Sequence, residues 1–245
     1  MSFRLEGEIF VRSLARARDD WLCPSLSVFA LLRLCSGHAL REKFLNPNFC
    51  IIRGKILVMT IWPAAPAELP ALEQTVHVWA VRLDDANVDL VTGRELLSPD
   101  ERERAVRFYF ERDRRRYLIA HIALHKILGG YLQIDPATLY FELGSNGKPR
   151  LPAALAAGGI EFNLSHSNEM ALLAVNRVGE IGVDIEYVKP DFKFQEIAER
   201  FFTATEVKEL RGLPPDLQRQ AFFKCWTSKD AFLKAKGTGL SGKAG

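Results

Sequence analysis

Apolar residues between Val76 and Leu83 follow a strand-like pattern, Val76, Val78, Ala80 and Leu83 with Trp79 and Val81 between. Ser98-Pro99-Asp100-Glu101 then carries the signals of a helix start: a serine N-cap, proline in the first turn and a glutamate that closes a capping box. The helical pattern runs, with a break near Asp113, to Leu128, and Gly129-Gly130 predicts its stop. Tyr131 to Phe141 reads as a connection and a short strand, and Asn146-Gly147 as a turn. Glu161 to Ser165 and Met170 to Asn176 read as strands flanking a polar turn. Val178-Gly179-Glu180 separates them from a further strand, Ile181 to Tyr187. Phe194 to Phe202 and Thr205 to Arg211 are helical, with Thr205 placed to cap the second. Leu213-Pro214-Pro215 interrupts the chain, and a last helix runs from about Leu217 to Lys236 and ends at Gly237.

The first 58 residues lack such a period. They hold nine Lys/Arg against five Asp/Glu, whereas the rest of the chain holds 24 against 25, so the basic excess lies in this segment. Three of the four cysteines, Cys23, Cys35 and Cys50, lie there as well, and Cys225 lies beyond. The segment is expected to be an upstream extension outside the functional fold, with residues 59–75, rich in Pro and Ala from Pro63 to Pro70, as a linker or N-terminal arm. The C-terminal Ser241 to Gly245 follows the last helix without a closing strand, and further residues are expected there.

Overall composition is that of an ordinary globular chain, 48% hydrophobic and 26% charged. A net charge of +3 is too small to argue for nucleic acid. The cysteines show no metal-binding spacing, which makes a reducing, cytoplasmic setting the default. Leu26 to Leu32 falls short of the roughly 20 residues that cross a bilayer.

Candidate chemistry gathers in three places. Asp184 and Glu186, two apart on a strand, share a face, and a pair of carboxylates held so close suits a hard cation such as Mg²⁺. Two solvated acids on an exposed strand is the plain alternative. On the last helix Asp230 and Lys234 are i,i+4 neighbours beside Lys229 and Lys236, with Phe222, Trp226 and Leu233 as the docking stripe. These residues could complete a metal–pyrophosphate site, or simply form a surface ion pair. Asn163-Leu164-Ser165-His166-Ser167 lies where a strand meets a turn, and His166 could donate to a phosphate oxygen. The Arg102–Arg116 region mixes arginines with acids as a solvated helix face does, although one or two could clamp a polyanion, as could Lys148.

Five motifs in order resemble the surfactin-synthetase (Sfp) type of 4′-phosphopantetheinyl transferases across roughly residues 76–241. They are Gly147-Lys148-Pro149, Phe162 to Ser167, Gly182-Val183-Asp184-Ile185-Glu186, Arg200-Phe201-Phe202 with Glu206, and Trp226 to Leu240. The resemblance implies transfer of phosphopantetheine from coenzyme A to a serine of an acyl or peptidyl carrier protein, with release of adenosine 3′,5′-bisphosphate. It implies an α+β fold of two pseudo-symmetric subdomains, 76–178 and 179–245, the second incomplete. By the family pattern Asp184, Glu186 and Asp230 bind Mg²⁺, and Glu206 is the general base. Lys234, Ser165 and His166 meet phosphate oxygens, Arg104, Arg116 and Lys148 hold the nucleotide end, and Lys229 lines the pantetheine side. Asp230 stands where the family usually has Glu, and Glu101 where some members have a basic residue. A monomer without membrane or nucleic-acid partners is expected, with Lys193, Lys208 and Arg211 as candidate carrier contacts. A metal-dependent nuclease or phosphoesterase and an inactive relic of the transferase are the rival readings.

Overall fold

A computed structural model describes residues 9–13, 31–34, 49–52, 55–58, 69, 71, 72, 76–177, 179–189 and 191–239. The first four of these stretches are described by their backbone alone. The rest of the upstream segment, most of the Pro/Ala-rich stretch, Val178, Leu240 and Ser241 to Gly245 lie outside the described residues.

The central strand is β5 (Val76–Arg82), reached after β1 (Ile9–Ser13), β2 (Leu31–Leu34), β3 (Phe49–Ile52) and β4 (Lys55–Val58). β1 pairs with β5 in parallel, β2 pairs with a later strand, and β3 and β4 pair with each other. Beyond β5 come α1 (Leu90–Glu95), α2 (Pro99–Val106), α3 (Glu111–Leu132), a 3₁₀ turn (Pro136–Thr138), β6 (Glu142–Leu143), β7 (Pro149–Arg150) and α4 (Ala153–Ala156). The remaining elements are β8 (Glu161–Ser167), β9 (Met170–Asn176), β10 (Ile181–Asp184), α5 (Gln195–Phe201), α6 (Ala204–Gly212) and α7 (Pro215–Lys236).

The main sheet has the order β1-β5-β9-β8, antiparallel except for β1 and β5. Both faces of β5 are buried, which follows from its alternation. Trp79 and Val81 face α3, packing with Ile119, Leu124 and Leu128, while Val76, Val78 and Ala80 face Ile181, Val183 and Ile185. β10 therefore covers the side of the sheet opposite α3, and α7 packs on β10 in turn. A third apolar cluster, centred on Phe222, joins α5, α6 and α7.

Several elements differ from expectation for identifiable reasons. The Ser98–Glu101 capping box forms as predicted, but the helix breaks at residues 107–110 rather than near Asp113. α3 also passes through Gly129-Gly130 and ends at Leu132, closed by Gln133 at φ 57°. These glycines serve packing, since a Cβ on Gly130 would lie 2.4 Å from Leu69 Cδ1 and one on Gly129 would lie 2.9 Å from Pro136 Cγ. Tyr131 stays helical with its hydroxyl accepting from Trp79 Nε1 at 3.1 Å. The strand expected before Phe141 is replaced by the 3₁₀ turn, while the Asn146-Gly147 turn joins β6 to β7 as predicted. β10 ends at Asp184, three residues short of Tyr187. Thr203, not Thr205, caps α6, in a reciprocal box with Glu206.

Candidate active site

The site is built on a ladder of polar side chains along one face of β8. Residues two apart on a strand share a face, and Asn163, Ser165 and Ser167 all reach toward β10 and the residues after it. Asn163 Oδ1 accepts from Val183 N at 2.8 Å, Ser165 Oγ donates to Asp184 Oδ1 at 2.8 Å, and Ser167 Oγ donates to Glu186 Oε2 at 2.9 Å. Ser167 Oγ also accepts from Tyr187 N at 3.0 Å. The motif read as a strand end meeting a turn is thus a strand whose side chains position the carboxylates.

α7 closes over these groups. Lys234 Nζ bridges Asp184 Oδ1 at 2.6 Å and Asp230 Oδ2 at 2.9 Å, and donates to Ser165 Oγ at 3.0 Å. Asp184 is 2% exposed, and its Oδ2 has no hydrogen-bond partner. Burial, with the charge of Asp230, pushes the Asp184 carboxyl up to about 6 against the pull of Lys234 and Ser165. Burial disfavours the Lys234 ammonium, yet Asp184 and Asp230 outweigh it and hold its pKa above the ordinary value. Ile185 is buried in the core, as the alternation predicts.

The donor set suits a hard cation: a buried carboxylate with an oxygen unpartnered, and a second carboxylate reached through an ammonium that already sits between the two. Lys234 occupies that gap, and among the described residues no group of three His, Cys, Asp or Glu is gathered closely enough to hold a metal by itself. Asp184 and Asp230 share the Lys234 ammonium, while Asp184 and Glu186 are held by Ser165 and Ser167 of the β8 ladder.

Adjacent to Ser165, His166 lies on the other side of β8 and stays exposed at the surface. The surrounding protein, and then the positive charges of His121, Lys234 and Arg104, hold its pKa below the ordinary value. Arg104 of α2 lies over the Tyr117 ring of α3, 5.9 Å from its centroid, and His121 packs against the same ring at 4.0 Å. Behind them, buried Glu101 accepts from His121 Nδ1 at 2.6 Å and His125 Nε2 at 2.8 Å. Burial disfavours the Glu101 carboxylate, but the two histidines outweigh it and hold it far below the usual range. His121 and His125 were not singled out from sequence, although their i,i+4 spacing on a helix would have put them on one face.

Glu206 lies at the start of α6. Its Oε2 accepts from Thr203 N at 2.7 Å and pairs with Lys229 Nζ at 3.0 Å. Burial raises its pKa, but the Thr203 amide and Lys229 bring it below the usual value. Cys225 Sγ lies 3.8 Å from Glu206 Oε1, and burial together with that charge pushes the thiol up to about 12. Two assigned nucleotide contacts have protein partners. Arg116 donates to Asn168 Oδ1 and Glu169 Oε1 at 3.2 and 3.3 Å, and Lys148 donates to the carbonyls of Ile181 and Ala235 at 3.0 and 3.2 Å. Lys193 and Lys208 are exposed, and Arg211 pairs with Glu199.

The chain is similar to a set of known sequences. A family model described as 4′-phosphopantetheinyl transferase superfamily matches residues 180–244, and one described as 4′-phosphopantetheinyl transferase, N-terminal, matches residues 85–178. The 4′-phosphopantetheinyl transferase HetI of Nostoc is 42% identical over 180 residues, covering 74% of this chain and 76% of that protein. The 4′-phosphopantetheinyl transferase Sfp of Bacillus subtilis is 35% identical over 145 residues, 59% of this chain and 62% of that one. L-aminoadipate-semialdehyde dehydrogenase-phosphopantetheinyl transferase of Xenopus laevis is 30% identical over 154 residues, 59% of this chain and 50% of its own. The chain is a transferase, an α+β protein with its polar site between a sheet-covering strand and a long helix. It belongs to the 4′-phosphopantetheinyl transferase family, in the Sfp type. It spans about three-fifths of the Bacillus relative's length.

Proposed function

We propose that the chain transfers 4′-phosphopantetheine from coenzyme A to a serine hydroxyl of an acyl or peptidyl carrier protein, with Mg²⁺ as cofactor. The observation that carries this reading is the buried Asp184 carboxylate, with one oxygen unpartnered and the other held by Lys234 and Ser165. A site of this kind is poised for both a cation and a phosphate. The reading also takes the fold as two pseudo-symmetric subdomains, residues 76–178 and 179–245, with the site between them.

The carrier serine loses its proton to Glu206, directly or through water, as its oxygen attacks the phosphorus that carries pantetheine. The P–O bond to the nucleotide then breaks, and adenosine 3′,5′-bisphosphate leaves. Asp184, Glu186 and Asp230 would hold the metal, which supplies charge neutralisation at the pyrophosphate. Lys234, paired here with Asp184 and Asp230, would meet a phosphate oxygen of the substrate. His166 and Arg104 face the anionic end, and Arg116, on α3, borders the same region while held by Asn168 and Glu169 of the β8–β9 turn. Lys229 orients Glu206 and lines the pantetheine side. The work asked of the protein is positioning and charge compensation. Exposed Lys193 and Lys208, with Phe201, form the landing area for an acidic carrier.

The test is incubation of apo carrier proteins with coenzyme A and Mg²⁺, followed by intact mass. One phosphopantetheine should be added to the carrier serine, and omission of Mg²⁺ should stop it. Binding of coenzyme A without modification of any carrier would overturn the reading, and hydrolysis of a phosphoester in the absence of carrier would replace it with a phosphoesterase.

A further inference from the structure

Glu101 is a buried carboxylate that the reaction proposed above does not use. It is 8% exposed, and three groups converge on it. Its Oε1 meets His121 Nδ1 at 2.6 Å. Its Oε2 meets His125 Nε2 at 2.8 Å and accepts from Ser98 N at 2.9 Å. His125 is fully buried, and its Nδ1 donates to the Pro136 carbonyl at 2.9 Å. Glu101 is thereby tied to two successive turns of α3 and, through His125, to the 3₁₀ turn beyond it.

α2 needs such an anchor. It is eight residues long, and a helix that short is marginal without tertiary contacts. Its two buried residues are Glu101 and Ala105. Ala105 joins Leu97, Tyr117, Leu118 and Ile122 in one apolar cluster, and Glu101 supplies the polar half of the same face. Arg104 stands one turn on from Glu101 and is exposed. Its guanidinium lies over the Tyr117 ring, 5.9 Å from the centroid, within cation–π range. The Tyr117 ring packs in turn on His121, with centroids 4.0 Å apart and planes 30° from parallel, and on Phe108 at 5.2 Å. A continuous column of contacts therefore runs from the Glu101 carboxylate through the His121 and Tyr117 rings to the Arg104 guanidinium. Both ends of the column belong to α2, and its middle belongs to α3.

We propose that Glu101 is a positioning residue for Arg104: it fixes α2 on α3 through His121 and His125, and so sets where the guanidinium meets the nucleotide end of coenzyme A. The proposal deepens the transferase reading and rests on it for the ligand. The anchoring of α2 is independent of which substrate is used. Glu101 acts through Arg104.

The test is a double-variant cycle on the full chain, read by calorimetry with coenzyme A. Arg104→Ala should weaken binding about tenfold, the loss of one charge-assisted contact. Glu101→Gln should weaken it about fivefold with Arg104 present, but less than about twofold on the Arg104→Ala background, because the effect is routed through that side chain. In Glu101→Gln the kcat for carrier modification should stay within about threefold, while KM for coenzyme A rises with the dissociation constant. A second readout needs no ligand: amide hydrogen exchange in α2 should rise at least about tenfold more than in β9, because the lost anchor is local. His121→Phe, at a half-buried position, removes one donor to Glu101 and keeps a ring against Tyr117. It should give the same pattern more weakly, and it carries the cycle if Glu101→Gln does not accumulate. Equal losses of affinity with and without Arg104 would show that Glu101 reaches the ligand site by another route and would overturn the proposal, as would exchange in α2 that merely follows β9. Should the wild-type chain modify no carrier, the transferase reading fails, while exchange in α2 still decides the anchor.

Discussion

The Cβ that Gly182 lacks would stand 2.0 Å from the carbonyl oxygen of Ala231, closer than any non-bonded carbon and oxygen can approach. α7 is seated on β10 backbone to backbone at this point, and the obstructing atoms belong to a helix rather than to a flexible side chain. Gly182→Ala should therefore lift α7 off the strand and cost about 3 kcal/mol or more, at the upper end of overpacking effects. Gly212→Ala meets nothing within 4 Å and should be neutral or stabilise by up to about 1 kcal/mol. Urea denaturation of the two variants checks this, and equal stability would refute the close approach.

Asp184 is expected to serve chemistry at the expense of stability. Its carboxyl is raised in the fold to about 6, so the folded chain binds that proton more tightly than the unfolded chain does. Stability from this group is therefore present below pH 4 and is lost as pH climbs from about 4 to 6. Asp184→Asn should leave the melting temperature of the metal-free protein unchanged or higher at pH 7. It should lower Mg²⁺-dependent carrier modification by at least about a hundredfold. A melting temperature several degrees lower at pH 7 would show that the Lys234 pair outweighs the burial.

Glu206 offers a cleaner separation of roles. Glu206→Gln keeps a side chain able to complete the capping box with Thr203, so thermal stability should shift little. If the carboxylate takes the serine proton, kcat should drop about a hundredfold with coenzyme A affinity within about twofold. Isothermal titration beside steady-state kinetics reads both, and parallel loss of the two would argue against the base.

How much of this was visible in the sequence depended on how local each cause is. The Ser98 box, the Asn146-Gly147 turn and the Gly237 stop are set by neighbours in sequence and were readable. Asp184, Asp230 and Lys234 were recognised by residue type and order; the Asp230–Lys234 pair follows from local i,i+4 geometry, whereas Asp184 meets Lys234 across 50 residues of sequence. Gly129-Gly130 carried a stop signal that tertiary packing against Leu69 and Pro136 overrode. Thr205 and Thr203 were equivalent as caps until Glu206 chose between them by its three-residue offset. The carbonyl partners of Lys148 and the histidine partners of Glu101 lie 20 or more residues away, and a long flexible side chain gives no periodic sign of where it ends.

The Glu101–His125 pair tests whether such a distant contact is structural in the energetic sense. Both partners are buried, with His125 Nε2 at 2.8 Å from Glu101 Oε2 and His125 Nδ1 at 2.9 Å from the Pro136 carbonyl. Glu101 is held far below the ordinary carboxylate range, so it is ionised throughout the neutral region. Removing one partner leaves the other buried with less compensation, Glu101 with His121 and the Ser98 amide or His125 with the Pro136 carbonyl, and such losses run to about 3 kcal/mol. Glu101→Gln and His125→Gln should each destabilise strongly at pH 7, with the double variant little worse than either single one. The coupling from a urea-denaturation cycle should reach about 2 kcal/mol. Additive losses would show that the two side chains contribute separately, and that α2, which carries Arg104, is anchored to α3 by its apolar contacts through Leu97 and Ala105 instead.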